Sequence, residues 1–272
     1  MIAGMRRLVL GFAAFLVLAY AAYAGIFWWN QRYLLFPRAT QQYAPFATPL
    51  PGYARLVELP ASFGKVRAVF LRGPAGRAPV ILYTHGNGEV IDQHVRNFDA
   101  IRGMGFHVLL LEYPGYGGAD GAPGYDSIME AVTTAYDWLV AQPEVDGARI
   151  VTMGKSLGGA PAAALTGLRP VRAVVLQSTF SAMSAFAAQY GLPAFIVRDP
   201  FDSAARLKAF DGPVLIAHGR HDELIAFAQG EALAAAAHAP VTRWYDCGHN
   251  DCPYDGADYL GVLREFLVRV AR

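Results

Sequence analysis

Six short apolar runs alternate with helix-like stretches, and this alternation limits the possible folds more than any other feature of the sequence. Residues 66–72, 80–84, 108–112, 150–153, 173–177 and 214–218 are rich in β-branched residues or leucine and are bounded by Gly or Pro, the pattern of buried strands. Residues 93–104, 127–141, 157–168 and 226–237 have helical character, and 262–270 closes the chain. Strand, helix, strand in repetition predicts an α/β fold with a mainly parallel central sheet and helices on both faces. Ligands bind such sheets outside the carboxyl ends of the strands. The residues that follow each run are therefore where chemistry is expected.

The run 150–153 leads directly into Gly154-Lys155-Ser156-Leu157-Gly158 and then a helix, the strand–turn–helix setting of a G-x-S-x-G nucleophile. A serine hydroxyl is a poor nucleophile at neutral pH, and a sharp turn lifts it clear of its own backbone. Gly154 and Gly158 are small where neighbouring backbones must pass close by. Such a serine needs a base, and the base needs a carboxylate to fix its tautomer. His249, in Asp246-Cys247-Gly248-His249-Asn250, follows a strand-like run at 241–245. Asp222, in His218-Gly219-Arg220-His221-Asp222, follows the run 214–218. His221, Glu223, Asp251 and Asp255 are their local rivals. Backbone amides must also meet the charge of a tetrahedral intermediate. One is expected from Leu157 and the other from Asn87, in His85-Gly86-Asn87-Gly88 after the run 80–84.

Other chemistries fit the residues poorly. A phosphate loop ending in Gly154-Lys155 requires glycine at position 149, which is Arg149. Gly115-x-Gly117 is followed by Asp120 where a dinucleotide fingerprint requires glycine, so no organic cofactor is expected. Neither His218 with His221 nor Cys247, His249 and Cys252 has a familiar metal-ligand spacing, and no metal is expected. A net charge of +1 with no basic stripe argues against nucleic acid as a partner. Cys247 and Cys252 are the two cysteines; they can close one small loop but make no disulfide framework.

Residues 8–29, LVLGFAAFLVLAYAAYAGIFWW, carry no charge. As a helix they span about 30 Å, the thickness of a bilayer's hydrocarbon core. Arg6 and Arg7 precede the run, and Trp28, Trp29 and Tyr33 suit the headgroup level beyond it. Ala22-Tyr23-Ala24 has the form of a signal-peptidase site, yet the apolar run continues past it, which favours a retained membrane anchor. Arg6 and Arg7 point to a catalytic body on the exported or periplasmic side; Arg32 and Arg38 reduce the asymmetry. The expected organisation is a membrane anchor at 1–30, a Pro-containing linker at 31–55 and one domain at 56–272. A short cap at about 179–211 carries Phe180, Met183, Phe186, Tyr190, Leu192, Phe195 and Ile196.

With these pieces the chain resembles the α/β-hydrolase superfamily, and within it the Bem46-like and ABHD13/ABHD17-type serine hydrolases. The resemblance rests on His85-Gly86-Asn87-Gly88, Tyr113-Pro114-Gly115-Tyr116-Gly117, Gly154-Lys155-Ser156-Leu157-Gly158-Gly159, Phe201-Asp202, the Asp222 segment and Cys247-Gly248-His249-Asn250. It extends from about residue 55 to the end of the sequence. The order Ser156, Asp222, His249 is the one used by that fold. The resemblance implies a serine hydrolase, acting on a small-molecule or acyl-chain ester or thioester through an acyl-enzyme. An N-terminal membrane helix is common in the group. The same triad also serves acyltransferases and peptidases, and the same fold serves non-catalytic binding or scaffold proteins.

Overall fold

The structure, a computed structural model, describes residues 2–40, 49–73 and 76–271. Eight strands form a single sheet: β1 (Ala54–Ala61), β2 (Gly64–Leu71), β3 (Ala78–Thr84), β4 (His107–Leu111), β5 (Val145–Lys155), β6 (Ala173–Gln177), β7 (Val214–Gly219) and β8 (Val241–Tyr245). Their order across the sheet is β1-β2-β4-β3-β5-β6-β7-β8. β2 runs antiparallel to β1 and β4, and all other pairs are parallel. The helices are α1 (Ile2–Leu35), α2 (Asp99–Gly103), α3 (Tyr125–Val140), α4 (Gly159–Ala164), α5 (Met183–Gln189), α6 (Ser203–Lys208), α7 (Phe227–Ala236) and α8 (Ala257–Val270). The expected mainly parallel sheet, covered on both faces, is the fold observed.

Successive strand side chains point to opposite faces, and the cores follow that alternation. Val80 and Leu82 of β3 join Ile128, Val132 and Leu139 of α3 on one face. Ile81 and Tyr83 join Leu263, Phe266 and Leu267 of α8 on the other. With both faces covered, β3 is buried along its whole length, which is why its sequence reads as a continuous apolar run.

Three elements differ from expectation. β1 is not expected: the sequence reads as linker to about residue 55, yet the strand begins at Ala54 and runs through Pro60. It is the sheet's edge strand, where proline is tolerated. Residues 93–104 do not form one helix: a 3-10 turn at Ile91–Gln93 precedes the five-residue α2. Gln93 Oε1 accepts the Val90 amide there, and the Ile91 amide donates to Glu112 Oε2, local bonds that compete with continuous helix. Finally, α1 continues to Leu35, past the expected anchor boundary at 30. Phe36 is buried in the core, so the start of the expected linker belongs to packed structure. Residues 41–48 of that linker lie outside the described residues.

At 34 residues α1 is long and apolar enough to cross a membrane. Its second half is not free: it packs against residues 187–199, in the segment expected to form the cap.

Candidate active site

Three strand ends meet above the carboxyl edge of the sheet. β5 delivers Ser156 into a single 3-10 turn, Ser156–Gly158, that runs into α4. Ser156 has φ of 52°, a left-handed conformation that costs energy for any residue with a Cβ and persists only where its surroundings impose it. Here the surroundings are hydrogen bonds: Thr179 Oγ1 donates to the Ser156 carbonyl at 2.6 Å, and Thr84 Oγ1 to the Gly158 carbonyl at 2.7 Å. β7 ends in a turn whose Leu224 and Ile225 amides both donate to Asp222 Oδ1, at 3.0 and 2.7 Å. The loop after β8 carries His249 between Cys247 and Cys252, which form a disulfide.

The three expected residues come together. His249 Nδ1 lies 2.8 Å from Asp222 Oδ2, and His249 Nε2 lies 2.9 Å from Ser156 Oγ. An ionised carboxylate only accepts, so Nδ1 carries the proton and Nε2 is left to accept from the serine hydroxyl. All three side chains are largely buried. Three of the four rivals hold the loops instead. His221 pairs with Asp246 at the surface, Glu223 accepts the His249 amide at 3.1 Å, and Asp251 accepts the Gly248 amide at 2.6 Å.

Burial alone would push the Asp222 carboxyl up, but hydrogen bonds from His218, His249 and the Ile225 amide outweigh it and hold the group well below the usual carboxylate range. Glu89 is the same case: burial raises it, and His94 and Lys155 together lower it further. A carboxylate depressed in the folded state adds stability that is complete above its unfolded pKa and is lost as pH falls. We therefore expect the thermal midpoint to hold down to about pH 5 and to fall steeply towards about pH 3. In Asp222→Asn the fall should be shallower, as read by thermal melts across that range; an equal slope would mean that Asp222 is not held low.

Four residues around the site were not singled out by sequence reasoning. His218, at the end of β7, donates through Nε2 to the Ile225 carbonyl at 2.8 Å and lies 3.3 Å from Asp222 Oδ2. The sequence offers it only as a metal ligand beside His221. Glu89 accepts the Gly86 amide at 3.0 Å and pairs with Lys155 Nζ at 2.7 Å, which gives Lys155 a partner linking the β5 turn to the loop after β3. Glu112, at the end of β4, bonds His85 Nε2 at 2.8 Å. Thr179 follows β6. His218, Glu112 and Thr179 each sit at a strand end, the one signal that could have found them.

The Asn87 carbonyl accepts from Tyr116 Oη at 3.0 Å, while its amide has no hydrogen-bond partner among the described residues. The Leu157 amide lies in the first turn of a helix, where N–H groups have no intrahelical acceptor. A cavity of about 720 Å³ lies beside Lys155 and Asn250, with Tyr83, His94, Gln177 and Tyr254 on its walls. None of its lining residues belongs to the segment 179–211. Among the described residues no group of three or more His, Cys, Asp or Glu side chains is placed to hold a metal ion.

Comparison with known proteins bears on the fold and the family. Residues 79–200 match the α/β hydrolase fold family. An uncharacterized protein of Mycobacterium tuberculosis is 32% identical over 260 residues, covering 90% of this chain and 89% of that protein. The α/β hydrolase domain-containing protein 17B of Xenopus tropicalis is 25% identical over 208 residues, covering 75% of this chain and 72% of that one. Among solved structures, the Pyrococcus furiosus esterase Pf2001 superposes with a TM-score of 0.67 at 17% identity, over 85% of this chain and 100% of the esterase. Est1E from Butyrivibrio proteoclasticus gives 0.67 at 16% identity, over 79% and 98%. At such low identity the structural likeness speaks for the fold alone. Family match, relatives and architecture agree: the chain belongs to the α/β-hydrolase superfamily.

Proposed function

We propose that this chain is a membrane-tethered serine hydrolase that cleaves carboxylic ester or thioester bonds by two-step acyl transfer. The observation that carries the reading is the continuous relay from Asp222 through His249 to Ser156, at 2.8 and 2.9 Å. Ser156 Oγ attacks the acyl carbon as its proton passes to His249 Nε2. The imidazolium formed is supported by Asp222 through Nδ1–H. When the tetrahedral intermediate collapses, the bond to the leaving oxygen or sulfur breaks and His249 returns the proton to that atom. Water, deprotonated by His249, then releases the acid and restores Ser156.

The amides of Leu157 and Asn87 are assigned to the oxyanion. They lie on different loops, so their separation must be held rigid for preorganised stabilisation. The bridge from Lys155 through Glu89 to the Gly86 amide ties the two loops together and supports that assignment. The reaction as written needs no cofactor.

A membrane anchor with the body on the exported side is supported by Arg6 and Arg7 ahead of the apolar run. The disulfide bracketing His249 adds to this, because such bonds persist in oxidising compartments.

The test is covalent labelling of the full chain in detergent with a fluorophosphonate probe. Modification at Ser156, absent in a His249→Ala variant, is expected. Well-folded protein that takes no label would overturn the reading.

A further inference from the structure

The anchor helix does not stop at the membrane and then hand over to a separate domain. Its contacts with residues 187–199 run from Tyr20 to Arg32. Tyr20 Oη donates to the Gly191 carbonyl at 2.8 Å and Tyr23 Oη to the Tyr190 carbonyl at 2.9 Å. Ala24 is buried against Ala187 and Leu192. Gln31 Nε2 donates to the Ile196 carbonyl at 3.0 Å, and the Arg198 amide donates to Gln31 Oε1 at 2.9 Å. Arg32 closes the series with a two-bond pair to Asp199, at 2.9 and 3.0 Å.

These contacts fix a depth. From Tyr20 to Arg32 the helix rises about 18 Å. Tyr20 and Tyr23 lie inside the uncharged run 8–29. With Trp28 and Trp29 at the headgroup level, Tyr20 sits about 12 Å below it. Whatever touches Tyr20 and Tyr23 from the side lies in the same leaflet.

The segment that touches them is suited to that depth. Residues 190–197, YGLPAFIV, carry no charge. Phe195 is 85% exposed and Tyr190 50%, an unfavourable display in water and an ordinary one in lipid. Backbone carbonyls in lipid must be satisfied within the protein, and three here, at Tyr190, Gly191 and Ile196, accept from α1 side chains. The two segments also become charged at the same height. Arg32 on the helix meets Asp199 on the cap, and the Arg198 guanidinium lies 4.8 Å from the centre of the Trp28 ring.

We propose that residues 190–197 are immersed in the leaflet beside α1, and that the substrate is a bilayer-resident long-chain acyl ester drawn sideways into the site. This rests on the serine-hydrolase reading above and gives it a substrate class. Apolar packing runs on from that segment towards the nucleophile. Val197 and Phe186 pack on the cluster that contains Met183, Phe180 and Leu157, the residue after Ser156. Packed apolar side chains thus link the leaflet-facing segment to the nucleophile turn, and the proposal takes the acyl chain in along them.

The test uses the full chain in phosphatidylcholine vesicles. A Phe195→Cys variant carrying an environment-sensitive fluorophore should be quenched by lipids spin-labelled along their acyl chains and shielded from aqueous iodide. The same fluorophore on Asp211→Cys, at a fully solvated loop, should behave in the opposite way. A second arm compares a fluorogenic long-chain ester in the vesicles with its water-soluble acetyl counterpart. Phe195→Asp should lower the ratio of the two turnover rates about tenfold. Iodide quenching at 195 equal to that at 211, or an unchanged ratio, overturns the proposal. The fluorescence arm requires no turnover, and fluorophosphonate labelling of Ser156 is scored separately. A protein that is immersed but never labelled would sink the hydrolase reading and leave immersion standing.

Discussion

Ser156→Ala should lower kcat on any hydrolysed ester by roughly a millionfold, the loss typical when a triad nucleophile is removed, while leaving the thermal midpoint almost unchanged. The hydroxyl lies within the relay and its only side-chain hydrogen bond among the described residues is to His249. Its deletion therefore orphans no structural donor, and it leaves a cavity smaller than a water molecule. The left-handed backbone at position 156 is held by Thr179 and Thr84 through main-chain carbonyls, bonds that alanine keeps. His249→Ala should be nearly as damaging, and the double variant little worse than either single one, because residues that act as a unit are not additive. Steady-state turnover over esters of graded chain length, with a melt of each variant, decides it. Near-wild-type turnover by Ser156→Ala would remove Ser156 from the chemistry altogether.

The parts of the molecule legible in the sequence are those where one physical demand dominates. β3, β5, β6 and β7 are buried on both sides, so their apolar runs stand out against Gly and Pro. Ser156 and Asp222 follow such runs, whereas His249 follows the half-exposed β8; the G-x-S-x-G turn and the chain order, not strand position alone, set the three apart from rivals such as His221 and Asp251. Where two demands compete, the sequence misled. β1 is half exposed and carries Pro60, so it lacks the continuous apolar run of the buried strands and shows itself only in its pairing with β2. Residues 93–104 have helical character, yet Glu112, at the end of β4, takes the Ile91 amide and His94 turns towards Glu89. Sequence spacing carries no trace of these bonds. The same holds for Lys155, whose partner Glu89 is 66 residues away, and for the docking of α1, whose contacts with Tyr190 and Gly191 lie about 170 residues apart. An apolar run predicts insertion into lipid, but not which neighbour shares the leaflet.

The second large effect concerns the glycines of the Gly154-Lys155-Ser156-Leu157-Gly158 turn, and it is expected to act on folding. Neither Gly154 nor Gly158 has positive φ, so alanine is not barred by conformation; it is barred by space. A Cβ on Gly154 would overlap the Gly158 carbonyl and lie 2.6 Å from the Gly159 nitrogen. One on Gly158 would overlap the Thr84 carbonyl and lie 2.7 Å from the His85 carbonyl oxygen. Every obstructing atom is backbone, belonging to the end of β3 or the start of α4, so no side chain can rotate away. Overpacking a core usually costs about 1–3 kcal/mol even where side chains can adjust. We therefore expect Gly154→Ala and Gly158→Ala each to lose more than about 3 kcal/mol, a large share of the 5–15 kcal/mol typical of a folded domain. Gly261 is the internal control, since it lies on the exposed face of α8 with nothing within 4 Å of its absent Cβ. Gly261→Ala should raise stability by about 0.5–1 kcal/mol through helix propensity alone. Thermal midpoints measured in one detergent should thus move in opposite directions for the same chemical change. If Gly158→Ala melted with the wild type, the turn would have room that this packing denies it, and the close approach of β3 to the nucleophile turn would have to be abandoned.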